Sequence, residues 1–144
     1  MSVERRTIHA SCVEIRGQGV LIRGGSGAGK TSLLVELVDR GAGFVADDSV
    51  VITRDSDHRL WAAPSEATEG LIGTSPFEVE AVKDRFPGVK TVLATRIGLC
   101  VQLEAEETLD PELILADAPR LYLKRGALSL MADLCESAID RITV

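Results

Sequence analysis

A glycine-rich segment of eight residues, GGSGAGKT at positions 24–31, constrains the fold of this chain more than any other feature. The segment satisfies the pattern G-x-x-x-x-G-K-[ST], which is typical of phosphate-binding loops (P-loops) that join a strand to a helix. An apolar run at residues 20–22 precedes it, and leucines at helical spacing follow it. The motif therefore predicts an α/β domain in which a strand, the loop and a helix follow one another.

The residues of this loop have tasks that follow from charge and geometry. The glycines let backbone N–H groups approach phosphate oxygens closely, and the following helix turns its positive end towards the anion. Lys30 would add a positive charge at the β- and γ-phosphates, and the Thr31 hydroxyl would coordinate Mg²⁺. The predicted nucleotide-binding residues are Gly24, Gly25, Ser26, Gly27, Ala28, Gly29, Lys30 and Thr31.

Two adjacent aspartates, Asp47 and Asp48, follow a short apolar run that begins at Phe44. Their spacing from Lys30 suits a helix followed by a return strand, which brings both carboxylates to the edge of the sheet near the loop. Adjacent residues at a strand end point to opposite sides, so one carboxylate can face Mg²⁺ and the other the hydroxyl that accepts the phosphoryl group. The alternative is a solvated turn capped by an aspartate.

Three features taken together resemble the catalytic domain of bacterial HPr kinase/phosphorylase: His9, the GGSGAGKT segment that begins 15 positions later, and the string FVADDSVV. The likeness is close over residues 8–52. It implies a P-loop α/β core related to phosphoenolpyruvate carboxykinases, with a mixed sheet and flanking helices. It also implies an ATP- and Mg²⁺-dependent kinase that acts on a serine of HPr, the phosphocarrier protein of the phosphotransferase system. Since the family's separate N-terminal domain is missing, residues 1–144 resemble the single-domain short form known in some α-proteobacteria.

The same resemblance implies roles for individual residues. In the family, a histidine on the strand before the loop neighbours the catalytic aspartate, and the first aspartate of the A-D-D string acts as the base. Carried over, these roles make His9, Lys30 and Asp47 the catalytic residues and Thr31 and Asp48 the metal neighbours. Terminal helices in the family contact HPr and neighbouring subunits, which leaves a homo-oligomer open.

A second signature of the family, close to E-x-R-G-x-G-[IV], has no match here. Its Glu is a metal ligand, whereas residues 70–77 read GLIGTSPF and contain neither a Glu nor an Arg-Gly pair. Glu66 and Glu69 are the candidates to replace that ligand, and Lys124 and Arg125 lie near the position of the family's later catalytic arginine. Two other functions therefore stay open: a nucleotide-binding regulatory module or ATPase without protein kinase activity, and a small-molecule kinase.

Charge and composition narrow the class of partner. Sixteen Lys and Arg residues against 22 Asp and Glu residues give a net charge of −6, which repels a nucleic-acid backbone. No run approaches the roughly 18 apolar residues that cross a bilayer, so we expect a cytoplasmic protein with no membrane partner. The three cysteines are odd in number and widely separated, which fits neither a disulfide framework nor the paired spacing of a zinc site, and we expect reduced thiols.

Hydrophobic patterning also predicts the remaining elements. We expect a hairpin over residues 7–22, a helix over residues 32–40, and short strands at residues 44–46, 50–52, 60–63 and 121–123. Further along the chain we expect a short helix within residues 77–86, β segments at 89–94 and 97–103, a helical turn from residue 110, and an amphipathic helix over 127–142.

Overall fold

The computed structural model describes residues 4–24, 29–66, 69–75, 78–103, 113–115, 118–124 and 126–142. The strands are β1 (Glu4–Ile8), β2 (Ser11–Ile15), β3 (Gln18–Arg23), β4 (Gly43–Ala46), β5 (Val50–Arg54), β6 (Leu60–Pro64), β7 (Leu71–Ser75), β8 (Glu78–Ala81), β9 (Thr95–Leu103) and β10 (Arg120–Leu123). The helices are α1 (Lys30–Asp39), α2 (Val82–Arg85) and α3 (Leu128–Ile142), with a 3₁₀ turn at Leu113–Leu115.

One mixed sheet dominates the described part of the chain. Its strand order is β1-β5-β6-β9-β3-β2-β4, and β10 pairs with β9 beside this path. Strand β9 runs parallel to β3 and to β10, and the other pairs of this sheet are antiparallel. Strands β7 and β8 form a separate antiparallel pair. The expected mixed sheet with flanking helices is thereby confirmed.

The long strand β9 belongs to two regions of the sheet, because its first residues pair with β6 and the rest pairs with β3. The register between β3 and β9 shifts next to Gly19. A Cβ atom at Gly19 would lie 2.8 Å from the backbone oxygen of Arg96 and 2.7 Å from a methyl carbon of Thr95. Only glycine permits so close an approach of the two strands.

Apolar side chains pack on both faces of the sheet. In β3, Val20 and Ile22 join the cluster beneath the helices, whereas Leu21 joins the opposite cluster, as the alternation of a strand requires. The helix-side cluster includes leucines of α1 and the buried residues of α3. The opposite cluster takes in residues of β1, β5 and β6. The strand before the glycine-rich segment is therefore buried on both sides.

Most of the predicted elements are confirmed to within a few residues, including α1, α3, β4, β5, β6 and β10. The predicted hairpin is confirmed for β2 and β3, but its first strand is interrupted at His9 and Ala10. The interruption arises because β1 pairs with β5, whereas β2 pairs with β3 and β4. The chain changes neighbours between the two strands, and this break places His9 at the edge of the site.

Two other predictions differ from the structure in their extent. Residues 89–94 form no strand, because their contact with the sheet is a single bridge between Thr91 and Phe44 of β4. The helix expected within residues 77–86 covers only α2, since β8 occupies the residues before it. The helical turn expected from residue 110 begins outside the described residues, and a 3₁₀ turn follows at Leu113–Leu115.

The cysteines are free and buried, which confirms the interpretation as reduced thiols. Cys12, Leu21 and Cys100 lie opposite one another on three adjacent strands, so two strand spacings, about 10 Å, separate the two cysteines. A disulfide cannot span that distance. Burial raises the pKa of each thiol, that of Cys135 to about 12. Among the described residues, no helix is long and apolar enough to span a membrane.

Candidate active site

The predicted P-loop lies between the end of β3 and the first residue of α1. Gly29 caps the helix with φ of 95°, a left-handed conformation that glycine adopts without steric cost. Lys30 follows at the first turn, is 8% exposed, and donates a hydrogen bond from Nζ to the backbone oxygen of Gly24 at 2.9 Å. The side chain of Lys30 therefore reaches back to the residue that follows β3. Gly25, Ser26, Gly27 and Ala28 lie outside the described residues.

The charge of Lys30 is held in an unfavourable environment. Burial lowers the pKa of its ammonium group below the ordinary value of 10.5, and the carboxylates of Asp48 and Asp47 oppose that shift. A cation that has lost hydration gains from the arrival of further negative charge. Burial thus removes hydration from Lys30, and the two carboxylates compensate for part of that loss.

Thr31 and Asp47 meet beside Lys30. The Thr31 hydroxyl donates to both carboxylate oxygens of Asp47, at 3.1 Å to Oδ1 and 3.3 Å to Oδ2. Asp47 follows β4 directly and is 4% exposed, so its carboxylate is among the few charged groups buried in the described part of the chain. Together these two side chains present hard oxygen ligands of the kind that Mg²⁺ prefers.

Ser11 also holds this carboxylate, although no pattern in the sequence singled it out. Its hydroxyl donates to Asp47 Oδ1 at 2.6 Å, and its side chain is fully buried. The pairing of Cys12 with Ala46 between β2 and β4 places Ser11 opposite Asp47. The only signal was a polar residue among apolar ones at the start of β2, and the strand register is needed to interpret it.

His9 and Asp48 form an exposed pair next to this cluster. His9 Nδ1 lies 3.2 Å from Asp48 Oδ1, and the two side chains are 58% and 70% exposed. Asp48 has φ of 71°, in the left-handed region that aspartate tolerates better than most residues. This turn separates the directions of the two adjacent carboxylates, because Asp47 stays buried and Asp48 reaches solvent.

The comparisons with known proteins identify the family of the chain. The family described as HPr Serine kinase C-terminal domain matches residues 2–117. The chain belongs to this family. A solved structure of the Hpr(Ser) kinase/phosphatase from Coxiella burnetii superposes with a TM-score of 0.77, at 25% identity over 94% of this chain and 95% of that one.

Curated relatives in the HPr kinase family are longer than this chain. The HPr kinase/phosphorylase of Streptococcus thermophilus (strain ATCC BAA-491 / LMD-9) is 35% identical over 101 residues, which are 70% of this chain and 33% of that protein. The HPr kinase/phosphorylase of Streptococcus pneumoniae (strain Hungary19A-6) is 35% identical over 105 residues, 73% of this chain and 34% of the relative. The chain thus spans about a third of the length of these relatives.

The resemblance to the HPr kinase family implied that His9 lies next to the catalytic aspartate, and it made Asp47 that aspartate. The structure places His9 beside Asp48 and Thr31 beside Asp47, and the roles of the two aspartates stay a prediction. Adjacent residues diverge at the end of a strand, and the left-handed turn at Asp48 decides which carboxylate is buried.

The region that replaces the family's second signature lies on β7 and the turn before it. Glu66 and Glu69 are both exposed, and Glu69 lines a cleft of about 190 Å³ with Phe44 and Val92. No group of three or more His, Cys, Asp or Glu side chains that could hold a metal ion occurs in the described part of the chain. Lys124 is exposed after β10, and Arg125 lies outside the described residues.

Proposed function

We propose that this chain is an ATP-dependent protein serine kinase domain that acts on HPr. The observation that carries the proposal is the convergence of Lys30, Thr31 and Asp47 at the start of α1. The exposed pair of Asp48 and His9 lies alongside, where a protein substrate can reach it. The names of the matched relatives support the choice of reaction and of HPr as the acceptor.

The side chains present fit a nucleotide that carries Mg²⁺. Thr31 and Asp47 would hold the metal through hydroxyl and carboxylate oxygens, directly or through water. A metal held there would supply positive charge that offsets the negative charge of the phosphates. Lys30 would bind the same phosphates, and the backbone N–H groups of the loop would complete the cradle.

We assign the proton acceptor to Asp48 and the metal-side carboxylate to Asp47, which reverses the roles implied by the resemblance. Asp47 is buried and already accepts from two hydroxyl donors, so its oxygens are less open to a serine on another protein than those of Asp48. Asp48 is exposed, and His9 holds it. As the serine oxygen bonds to the γ-phosphorus, the bond to the leaving ADP oxygen breaks and Asp48 takes the hydroxyl proton.

The direct test combines transfer and binding measurements. Incubation with γ-labelled ATP and HPr should place the label on a serine of HPr, and an HPr variant with alanine at that serine should remain unlabelled. Lys30→Ala should weaken Mg-ATP binding at least tenfold, since a phosphate partner is lost from a buried site. Lys83→Ala, at an exposed lysine of α2, is the matched control and should bind normally. Unchanged calorimetric affinity in a folded Lys30→Ala variant would contradict the phosphate-loop interpretation.

A second candidate function is a regulatory module or ATPase that binds nucleotide without phosphorylating a protein. The absence of a Glu from residues 70–77 favours it. Water can replace one carboxylate of a Mg²⁺ site, so binding should survive this loss better than catalysis does. We therefore expect Mg-ATP affinity with slow serine transfer and no pyrophosphate-forming dephosphorylation.

A timed assay beside a relative with the full signature separates the candidates. Phosphate release without labelled HPr would support the ATPase, and a labelled metabolite would support a small-molecule kinase. Transfer as fast as in the relative would mean that Glu66, Glu69 or another carboxylate supplies the missing ligand.

A further inference from the structure

We infer that Ser11 is a positioning residue of this site, and the inference rests on the proposed function. Its hydroxyl holds Asp47 towards Thr31 and supports the turn from which Asp48 reaches His9. One buried hydroxyl would thereby orient both carboxylates, each for a different task. Ser11 itself is fully buried at the start of β2, so it acts through these neighbours and not through contact with a substrate.

The hydrogen bond from Ser11 to Asp47 is the shortest of the three hydroxyl contacts that the structure describes at this carboxylate. It measures 2.6 Å, against 3.1 and 3.3 Å for the two contacts from Thr31. A hydroxyl bound to a buried carboxylate forms a charge-assisted bond, which is stronger than a neutral one. Ser11 therefore contributes strongly to fixing the position of Asp47 Oδ1.

Ser11 also contacts the backbone of Asp48. The Asp48 N–H donates to Ser11 Oγ at 3.5 Å, while the Ser11 proton is given to Asp47. A hydroxyl has one donor and two acceptor positions, so it can make both bonds at once. The bond reaches the residue with φ of 71°, where a positive φ persists only if its surroundings hold it. At 3.5 Å the contact with Ser11 is a weak support of this turn, which the bond from the Ser49 N–H to the Asp47 backbone oxygen at 2.9 Å also holds.

This arrangement explains why a hydroxyl at position 11 matters when nucleotide binds. The Thr31 hydroxyl contacts Asp47 in the structure, and a Mg-nucleotide would compete for that hydroxyl. Ser11 holds the Asp47 carboxylate from the neighbouring strand β2, so this hydrogen bond does not depend on whether Thr31 binds Asp47 or the Mg-nucleotide. The carboxylate would thus stay in place as the metal arrives.

The test uses two replacements of nearly the same shape, Ser11→Thr and Ser11→Val, which differ in the hydroxyl. The first measurement is the Mg²⁺ concentration that half-saturates binding of a fluorescent ATP analogue to the full chain. We expect Ser11→Thr to stay within about threefold of the wild type and Ser11→Val to need about tenfold more Mg²⁺, the effect of one charge-assisted bond. The second measurement is transfer to HPr, in which Ser11→Val should lower kcat more than it changes the KM for HPr.

Several controls keep the outcome unambiguous. Ser137→Val, on the exposed face of α3, should leave the Mg²⁺ dependence unchanged. Circular dichroism verifies folding, and Ser11→Ala, which removes the hydroxyl without adding volume, replaces Ser11→Val if that variant does not fold. Equal Mg²⁺ dependence in Ser11→Val and Ser11→Thr would overturn the role of Ser11 and leave the proposed function intact. A wild-type protein that binds no Mg-ATP would instead refute the proposed function, and the role of Ser11 with it.

Discussion

Exchanging the acids of the aspartate pair for amides, one at a time, tests the assignment of their roles. Asp48→Asn keeps the shape of the side chain and an oxygen that can face His9, but the amide cannot take a proton. Loss of a general base reduces transfer by about 10²- to 10⁴-fold, which corresponds to about 3–5 kcal/mol in the barrier. Asp48 also stabilises the charge of Lys30, so Mg-ATP affinity should change too, but solvent screening at this exposed side chain should keep that change far smaller than the loss of transfer.

Asp47→Asn should act on binding and stability instead. Thr31 donates to both oxygens of this carboxylate and Ser11 donates to one of them. The amide replaces one oxygen by a donor, so one hydroxyl proton faces another donor or must turn away. A buried donor or acceptor left without a partner costs about 1–3 kcal/mol. We expect a loss of this size in the free energy of unfolding, and Mg-ATP affinity weaker by about tenfold or more.

Single-turnover transfer to HPr, calorimetric titration with Mg-ATP and urea unfolding would separate these effects. Asp57→Asn, at an exposed position of the turn between β5 and β6, serves as the matched control and should be silent in all three. The assignment is refuted if Asp48→Asn transfers phosphate at the wild-type rate while Asp47→Asn binds Mg-ATP normally but cannot transfer it. That pattern would restore Asp47 as the base.

Three further predictions concern protonation, packing and thiol chemistry. Burial lowers the pKa of Lys30, and phosphates bind its charged form, so Mg-ATP affinity should fall as the pH rises through that lowered pKa. Calorimetry in two alkaline buffers should then detect proton uptake on binding. Gly19→Ala should reduce the free energy of unfolding in urea by about 1–3 kcal/mol because β9 leaves no room for a Cβ, whereas Gly126→Ala should change it by less than about 0.5 kcal/mol. The three cysteines should react with a thiol reagent only on unfolding, since they are buried and burial raises their pKa values; fast labelling of the native protein would contradict this.

Local features of the sequence were sufficient to predict much of the fold. The glycine pattern and the leucine stripe predicted a strand, a loop and a helix because the geometry of that unit depends on residues close together in the chain. The terminal helix α3 could be predicted for the same reason, from its 3.6-residue periodicity. Residues 89–94 show the limit of such patterns. Their apolar run predicted a strand, but only Thr91 pairs with the sheet, and the sequence does not show whether a neighbouring strand is available.

In the candidate site, too, some features could be predicted from the sequence and others only from the tertiary structure. The sequence by itself determined that a helix follows the glycine-rich segment ending in Lys30 and Thr31, and that two carboxylates follow a nearby strand. Only the tertiary structure decided which aspartate lies against Thr31 and that Ser11 holds it. The physical reason is that Ser11 and Asp47 are 36 positions apart and meet through the register of β2 with β4, while a left-handed turn directs Asp48 the other way. Neither the strand register nor the sign of φ at Asp48 can be predicted from the amino-acid sequence alone.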